Sequence, residues 1–138
     1  MRVRARKVAI PKPLEKHVSA AIVEFFALVH RIELHRRNTG AMKGKSAKGK
    51  SWYVRFSTPG QSDLWGVQPV TARHIEIEVK REGEEPSDTQ RAWLASCREK
   101  GCIAFWAHSV EMADREYQRQ RDFPLTPEFE RARVSSEF

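Results

Sequence analysis

The sequence predicts an α/β domain in which a mixed central β-sheet is flanked by helices. An apolar stripe with helical spacing comes first, three extended segments follow it, and a second helical segment precedes a further apolar strand. A strand that returns to a sheet after a helix requires a crossover, and the crossover helix covers a face of the sheet. The predicted order of elements is therefore helix, three strands, helix, strand, helix, with helices on both faces.

The first helix is predicted within "LEKHVSAAIVEFFALVHRI", residues 14–32. Its apolar residues recur at steps of three and four, which form one face of a helix: Leu14, Val18, Ala21, Ile22, Phe25, Phe26 and Val29. The segment "IELHRRNTG", residues 32–40, predicts a short strand. After it, "GAMKGKSAKGK", residues 40–50, has nothing to bury and predicts a mobile basic loop.

The next strand is predicted in "SWYVRFST", residues 51–58, before the turn at Pro59 and Gly60. A short apolar piece, "DLWGV", leads to "HIEIEVK", residues 74–80, in which apolar and charged residues alternate. Helices are predicted in "SDTQRAWLASCREKG" and "SVEMADREYQRQ", on either side of the apolar strand "CIAFWAH". We predict a single domain over residues 1–121, with its core at about 11–113, and a C-terminal extension over 122–138.

The charge balance indicates a polyanionic partner. The 138 residues include 25 Lys and Arg against 18 Asp and Glu, a net charge of +7, so nucleic acid or an anionic membrane surface is the first partner to consider. No apolar run is long enough to span a bilayer, and we expect a cytoplasmic protein. Cys97 and Cys102 form no CxxC pair, and we interpret both as reduced thiols.

Asp63, Glu78 and Lys80 form the most informative group of charged residues. Glu78 and Lys80 share a strand face because side-chain direction repeats every two residues. A strand covered on both sides has no solvated face, so charges on it need a reason. If "WYVRFST…SDLWG" and "HIEIEVK" pair as neighbours, two carboxylates meet, and such a pair is stable mainly around a hard divalent cation. That cation can activate water and stabilise charge on a phosphate.

Five segments in order resemble one nuclease family: "RRNTG" (36–40), "GQSD" (60–63), "IEVKRE" (77–82), "SDTQRAWL" (87–94) and "KGC" (100–102). Together they resemble the VRR-NUC (virus-type replication-repair nuclease) family of the PD-(D/E)XK superfamily, over about residues 14–110. The superfamily's Pro-Asp pair appears here as Ser62-Asp63, with the proline at Pro59. The resemblance implies a restriction-endonuclease-like core and a hydrolase, and its standalone phage-like members imply a cytoplasmic protein of a bacterial or phage-infected cell. Those members also imply a homodimeric endonuclease that cuts branched DNA such as four-way (Holliday) junctions, because two matched cuts suit a two-fold dimer.

The resemblance also implies roles for individual residues. Asp63 and Glu78 would bind Mg²⁺ or Mn²⁺ together with the Val79 backbone carbonyl, and Glu15 would lie at the rim of the metal site. Lys80 would position the attacking water, and Gln90 would lie near that water. The expected DNA contacts are Arg36, Arg37 and Asn38 after the short strand, and Lys43, Lys45, Lys48 and Lys50 in the basic segment.

Simpler interpretations of these residues stay open. Glu78 and Lys80 could be an exposed pair on an edge strand. Gln90 fits a capping box with Ser87, and Glu15 suits the first turn of any helix. Glu76 is either a secondary ligand or a salt-bridge partner. The arginines after the short strand could belong to a solvated loop, and the four lysines to a solubilising linker.

Two further functions remain as alternatives to a metal-dependent DNA endonuclease. One is a non-catalytic protein that keeps the nuclease fold and binds DNA junctions or replication intermediates. The other is a nuclease that acts on RNA, since neither the charge nor the motif excludes it.

Overall fold

The computed structural model of the protein describes residues 10–122, which include three helices. They are α1 (Glu15–Phe25), α2 (Asp88–Glu99) and α3 (Val110–Asp122), and α1 continues directly into a π-helical turn, Phe26–His30. The strands are β1 (His35–Arg36), β2 (Ala41–Lys45), β3 (Ser51–Arg55), β4 (Leu64–Val67), β5 (His74–Val79) and β6 (Ile103–Ala107). The predicted C-terminal extension, apart from Asp122, lies outside the described residues. No helix within residues 10–122 is long and apolar enough to cross a membrane.

The central sheet has the strand order β1-β4-β5-β6 and is mixed. β5 pairs antiparallel with β4 and parallel with β6, so it has a strand on either side. The parallel pair is connected through α2, which is the crossover that the order of elements predicts. The predicted mixed sheet with flanking helices is therefore confirmed.

The apolar face of β5 carries the main hydrophobic core. Ile75, Ile77 and Val79 are fully buried, and they belong to one cluster with Ile22 of α1 and Tyr117 of α3. Burying one such aliphatic side chain stabilises the fold by roughly 1.5–3 kcal/mol. This packing fixes the orientation of β5, because a shift of one residue would bring its charged side chains into the core.

The opposite face of the sheet is covered by α2. Leu94 and Cys97 of this helix pack on Ala104 of β6 in a second, smaller cluster. Glu76 and Glu78 point to this side, and each is only 2% exposed. The alternative in which Glu78 sits on an exposed edge strand is therefore wrong: the carboxylates of β5 lie under a helix.

Two expectations about the strands are wrong. The "DLWGV" piece is the strand β4, which pairs with β5, whereas the predicted strand in residues 51–58 contains β3 and does not join the central sheet. β3 instead pairs with β2, so the basic segment 40–50 is half of an antiparallel hairpin and not a mobile loop. Composition is misleading there because backbone pairing with β3 satisfies a segment that has few apolar side chains to bury.

Candidate active site

The position of Asp63 follows from the register between β4 and β5. Leu64 pairs with Ile77, so the next residue pair in this antiparallel ladder is Asp63 and Glu78. The Oδ2 atom of Asp63 accepts a hydrogen bond of 3.0 Å from the backbone N–H of Val79. Asp63 is thus tied to the strand that carries the second carboxylate.

The turn before Asp63 is fixed against the start of α2. Gly60 has φ +85°, and a Cβ atom there would lie 2.7 Å from the backbone oxygen of Thr89. Only glycine can adopt this conformation and still allow so close an approach. The Pro-Gly turn therefore packs directly against α2, next to Gln90.

Glu78 is almost completely buried, and its two carboxylate oxygens have different surroundings. Oε1 accepts a hydrogen bond of 2.8 Å from Nε2 of Gln90 and lies 3.4 Å from Nζ of Lys80. Oε2 is buried without a hydrogen-bond partner among the residues that the structure describes. An unpaired buried carboxylate oxygen is unfavourable unless a proton or a cation binds it.

The electrostatics of Glu78 reflect this burial. Its pKa is raised from 4.5 to about 8, first by burial and then by the adjacent Asp63 charge, while the Lys80 ammonium acts in the opposite direction. When both carboxylates are ionised, the one ammonium beside them leaves an excess of negative charge. A bound cation would relieve that excess.

Gln90 forms both of the contacts that the sequence leaves open. Its Oε1 atom accepts a hydrogen bond from the backbone N–H of Ser87, and the Ser87 hydroxyl accepts one from the backbone N–H of Gln90. Its Nε2 atom donates to Glu78. The capping box therefore holds the amide in the orientation that presents its NH₂ group to the carboxylate.

Glu15 lies on the other side of Asp63 as the first residue of α1. It lines a cleft of about 200 Å³ that also contains Asp63, Val79, Arg36 and Arg37. Its pKa is raised by partial burial and by the Asp63 charge, and the Lys80 charge lowers it. Glu15, Asp63 and Glu78 therefore form one electrostatic group.

The donor set suits a hard divalent cation. Within residues 10–122 no three His, Cys, Asp or Glu side chains are arranged as a ready-made metal cage. Mg²⁺ rarely uses such a cage, since it is usually bound by one or two carboxylates and keeps several waters or substrate oxygens. The unpaired oxygen of Glu78 beside Asp63 provides hard oxygen ligands of this kind.

Glu76 is a salt-bridge partner, which is one of the two interpretations that the sequence allows. Both guanidinium NH₂ groups of Arg37 bind its carboxylate, at 2.7 and 2.8 Å, and His74 Nε2 lies 2.8 Å from it. Arg37 also donates to the backbone oxygen of Ser62, next to Asp63. The sequence does not predict this brace between the end of β1 and β5, because its local pattern indicates only a DNA contact or a solvated loop for Arg37.

The other predicted DNA contacts lie on the surface around the site. Arg36 and Asn38 lie at the end of β1 and just after it, and the four lysines lie on the hairpin: Lys43 and Lys45 on β2, Lys48 and Lys50 in the turn. A second cleft, of about 290 Å³, extends from the hairpin to Asp63 and is lined by Tyr53, Arg55, Asp63 and Gln90 among others. Tyr53 and Arg55 were not predicted as site residues, although the alternation in "SWYVR" places them on one strand face.

Comparison with known protein families identifies the class of domain. The VRR-NUC domain family matches residues 13–111, which is most of the chain and contains every strand of the central sheet. The search of curated proteins finds no match. The chain therefore belongs to the VRR-NUC domain family, and this membership indicates a nuclease of the PD-(D/E)XK type, a hydrolase that acts on DNA.

Proposed function

We propose that this protein is a divalent-metal-dependent, structure-selective DNA endonuclease that hydrolyses phosphodiester bonds in branched DNA such as four-way junctions. The observation that carries the proposal is the unpaired, buried Oε2 atom of Glu78 beside a second carboxylate. A purely structural carboxylate would have found a partner, as Glu76 does with Arg37.

The residues around the carboxylates have separate roles in this proposal. Asp63 and Glu78 would hold Mg²⁺ or Mn²⁺ with the Val79 carbonyl, and Glu15 would lie at the rim. The cation would supply Lewis acidity and offset the negative charge that develops on the phosphate. Lys80 brings its ammonium to the same carboxylate, where it can orient a water and stabilise the developing charge. Gln90 orients Glu78 through its hydrogen bond.

The surface around the site favours DNA as the substrate. Residues 34–62 contain seven Lys and Arg and no Asp or Glu. Part of this segment lines the cleft that holds Asp63, so its cations would attract backbone phosphates and bring them close to the carboxylates. A homodimer would present two such sites, which suits the two-fold symmetry of a four-way junction.

Cleavage assays on matched substrates test the proposal. Four-way junction, flap, duplex and single-stranded DNA are compared with RNA in Mg²⁺, in Mn²⁺ and in EDTA. We expect cleavage of branched DNA only with metal, and none by Glu78→Gln. Glu111→Gln serves as the control because Glu111 is an exposed glutamate on α3. Sedimentation should give twice the mass of a single chain.

Metal binding separates an enzyme from a non-catalytic binding protein. Calorimetry with Mn²⁺ should detect binding to wild type and to Glu111→Gln, and no binding to Asp63→Ala or Glu78→Ala. Wild type that binds junctions but neither binds Mn²⁺ nor cuts DNA would contradict the proposal. Faster cleavage of RNA than of branched DNA would contradict the substrate that we propose.

A further inference from the structure

The β2–β3 hairpin has two unlike faces. Strand alternation and the cross-strand register place the cationic side chains Lys43, Lys45 and Arg55 on one face, with Tyr53. We call this the inner face, because Tyr53 and Arg55 line the cleft that contains Asp63 and Gln90. The outer face consists of Met42, Gly44, Trp52 and Val54 and points away from the cleft.

The outer face is apolar and exposed. Met42 is 51% exposed, Val54 is 47% exposed and Trp52 is 42% exposed. Trp52 lies directly over Gly44: a Cβ atom at that glycine would be 2.4 Å from the indole ring. The glycine lets the ring cover the hairpin backbone, while the rest of the ring faces solvent.

Charge indicates what covers this face. Cations surround it on both strands and in the turn, and residues 34–62 hold no acidic side chain to balance them. A second copy of the chain would bring the same cations to the contact, so docking of two outer faces is opposed by repulsion. Nucleic acid supplies what the hairpin lacks, since its phosphates match the cations and its bases can stack on an indole.

The kind of DNA follows from where base faces are accessible. Inside a duplex each base is stacked on both sides, so an indole has no free face to contact. An unpaired base, or the last pair at a branch point, offers one. The inner face meanwhile contacts phosphates of any sequence or structure.

We infer that the outer face of the hairpin, centred on Trp52, is a stacking platform for a nucleobase exposed at a branch point, and that it discriminates branched from duplex DNA. The inference rests on the proposed function and names the residue that reads DNA structure for it. The hairpin would place the phosphates of the branch near Asp63 and the exposed base against Trp52.

Binding measured in EDTA tests the platform without cleavage. Fluorescence anisotropy compares a four-way junction with a duplex of the same length for wild type, Trp52→Ala and Trp52→Phe. We expect Trp52→Ala to weaken junction binding by about tenfold and duplex binding by less than about twofold. Trp52→Phe should retain most of the preference, because it keeps an aromatic ring.

Two further variants control for position. Tyr53→Ala removes the neighbouring aromatic residue from the inner face and should leave the ratio of junction to duplex affinity unchanged. Gly44→Ala keeps the indole but pushes it off the hairpin, so it should weaken the preference as Trp52→Ala does. A 2-aminopurine at the branch point should be quenched by wild type and far less by Trp52→Ala.

Equal weakening of junction and duplex binding in Trp52→Ala, or no weakening of either, would overturn the inference. So would a change from dimer to monomer in Trp52→Ala, because the outer face would then contact a second copy. Junction binding through Trp52 without any metal-dependent cleavage would contradict the proposed function and leave the platform intact. Metal-dependent cleavage of junctions, together with unchanged junction binding in Trp52→Ala, would overturn the platform and leave the proposed function intact.

Discussion

Glu76 and Glu78 are two residues apart on β5 and equally buried, yet their surroundings differ. The carboxylate of Glu76 accepts hydrogen bonds from both NH₂ groups of Arg37 and contacts the imidazole of His74. The Oε1 atom of Glu78 is contacted by the amide of Gln90 and the ammonium of Lys80. Its Oε2 atom has no hydrogen-bond partner within residues 10–122. The charge of the first carboxylate is therefore offset by Arg37, whereas the second keeps one oxygen without a hydrogen-bond partner among the described residues.

The raised pKa of Glu78 predicts an unusual pH dependence of stability in the absence of metal. The folded protein keeps this proton up to about pH 8, whereas the unfolded chain releases it near 4.5. The folded state binds more protons between these values, so the free energy of unfolding contributed by Glu78 falls as pH rises through this window. The decrease amounts to at most about 1.4 kcal/mol per pH unit.

Urea denaturation in EDTA between pH 5 and 8, a range of about three units inside that window, measures this effect as the difference between wild type and Glu78→Gln. The difference in the free energy of unfolding between the two proteins should grow as pH rises, with Glu78→Gln the more stable at high pH. Adding Mg²⁺ or Mn²⁺ should reduce this difference. Glu111→Gln should follow wild type at every pH, and parallel profiles for wild type and Glu78→Gln would refute the assignment.

Removing the partner of Glu76 tests the brace between the end of β1 and β5. Arg37→Ala leaves a buried charge without its guanidinium and should destabilise the fold by about 3–5 kcal/mol. Arg36→Ala, at the exposed neighbouring position, should change stability by less than about 0.5 kcal/mol. Chemical denaturation measures both variants, and equal effects would show that Arg37 is not a structural residue.

At the scale of elements, α2 does more than cross over the sheet. Its N-terminus forms the capping box with Ser87, receives the Pro-Gly turn at Thr89 and directs Gln90 at Glu78. The start of this helix thus joins the Asp63 turn to β5. Helix capping and the geometry of the carboxylates are coupled through one glutamine.

Two variants separate the roles of this helix start. Ser87→Ala removes the cap and should lower stability by about 1 kcal/mol while the amide can still reach Glu78. Gln90→Glu keeps an oxygen for the Ser87 N–H but replaces the donor to Glu78 with a negative charge. It should retain the helix and lower cleavage by about tenfold or more. The melting temperature and the cleavage rate are measured for each variant. If both variants lose both thermal stability and cleavage activity, capping and the orientation of Glu78 are not separate roles.

At the scale of the whole molecule, the net charge of +7 is unevenly distributed. All seven formally charged side chains from residue 34 to residue 62 are Lys or Arg. This stretch contributes to both of the clefts described above that contain Asp63. The acidic group at Glu15, Asp63 and Glu78 lies within these basic surroundings. Such an arrangement attracts a polyanion, and under the proposed function it would bring the reacting phosphate beside the carboxylates.

The salt dependence of DNA binding should report this asymmetry. Lys43→Ala with Lys45→Ala should reduce the slope of log K against log salt by up to about 0.9 for each phosphate that the variant no longer neutralises. Arg115→Ala with Arg119→Ala removes the same charge from α3, which contributes to neither cleft at Asp63. This control should change the slope little, and equal slopes for the two double variants would indicate a non-specific effect of net charge.

Much of the fold could be predicted because its signals are local. The apolar stripe of α1, the alternation of β5 and the capping box of α2 each depend on residues a few positions apart. β4 and the β2–β3 hairpin could not be predicted in the same way. β4 has only four residues and β2 is basic, so only pairing with another segment makes them strands. The segment that contains β3 is predicted as a strand, but its pairing with β2 is not.

The sequence by itself determined that Glu78 and Lys80 share a strand face and that Gln90 can cap α2, since both depend on local periodicity. Only the tertiary structure decided which carboxylate of β5 keeps one oxygen without a hydrogen-bond partner within residues 10–122. Arg37 reaches Glu76 across 39 positions, and Asp63 meets Glu78 through the register of β4 and β5. Local rules carry no information about such contacts, because long-range packing decides which charges are buried together.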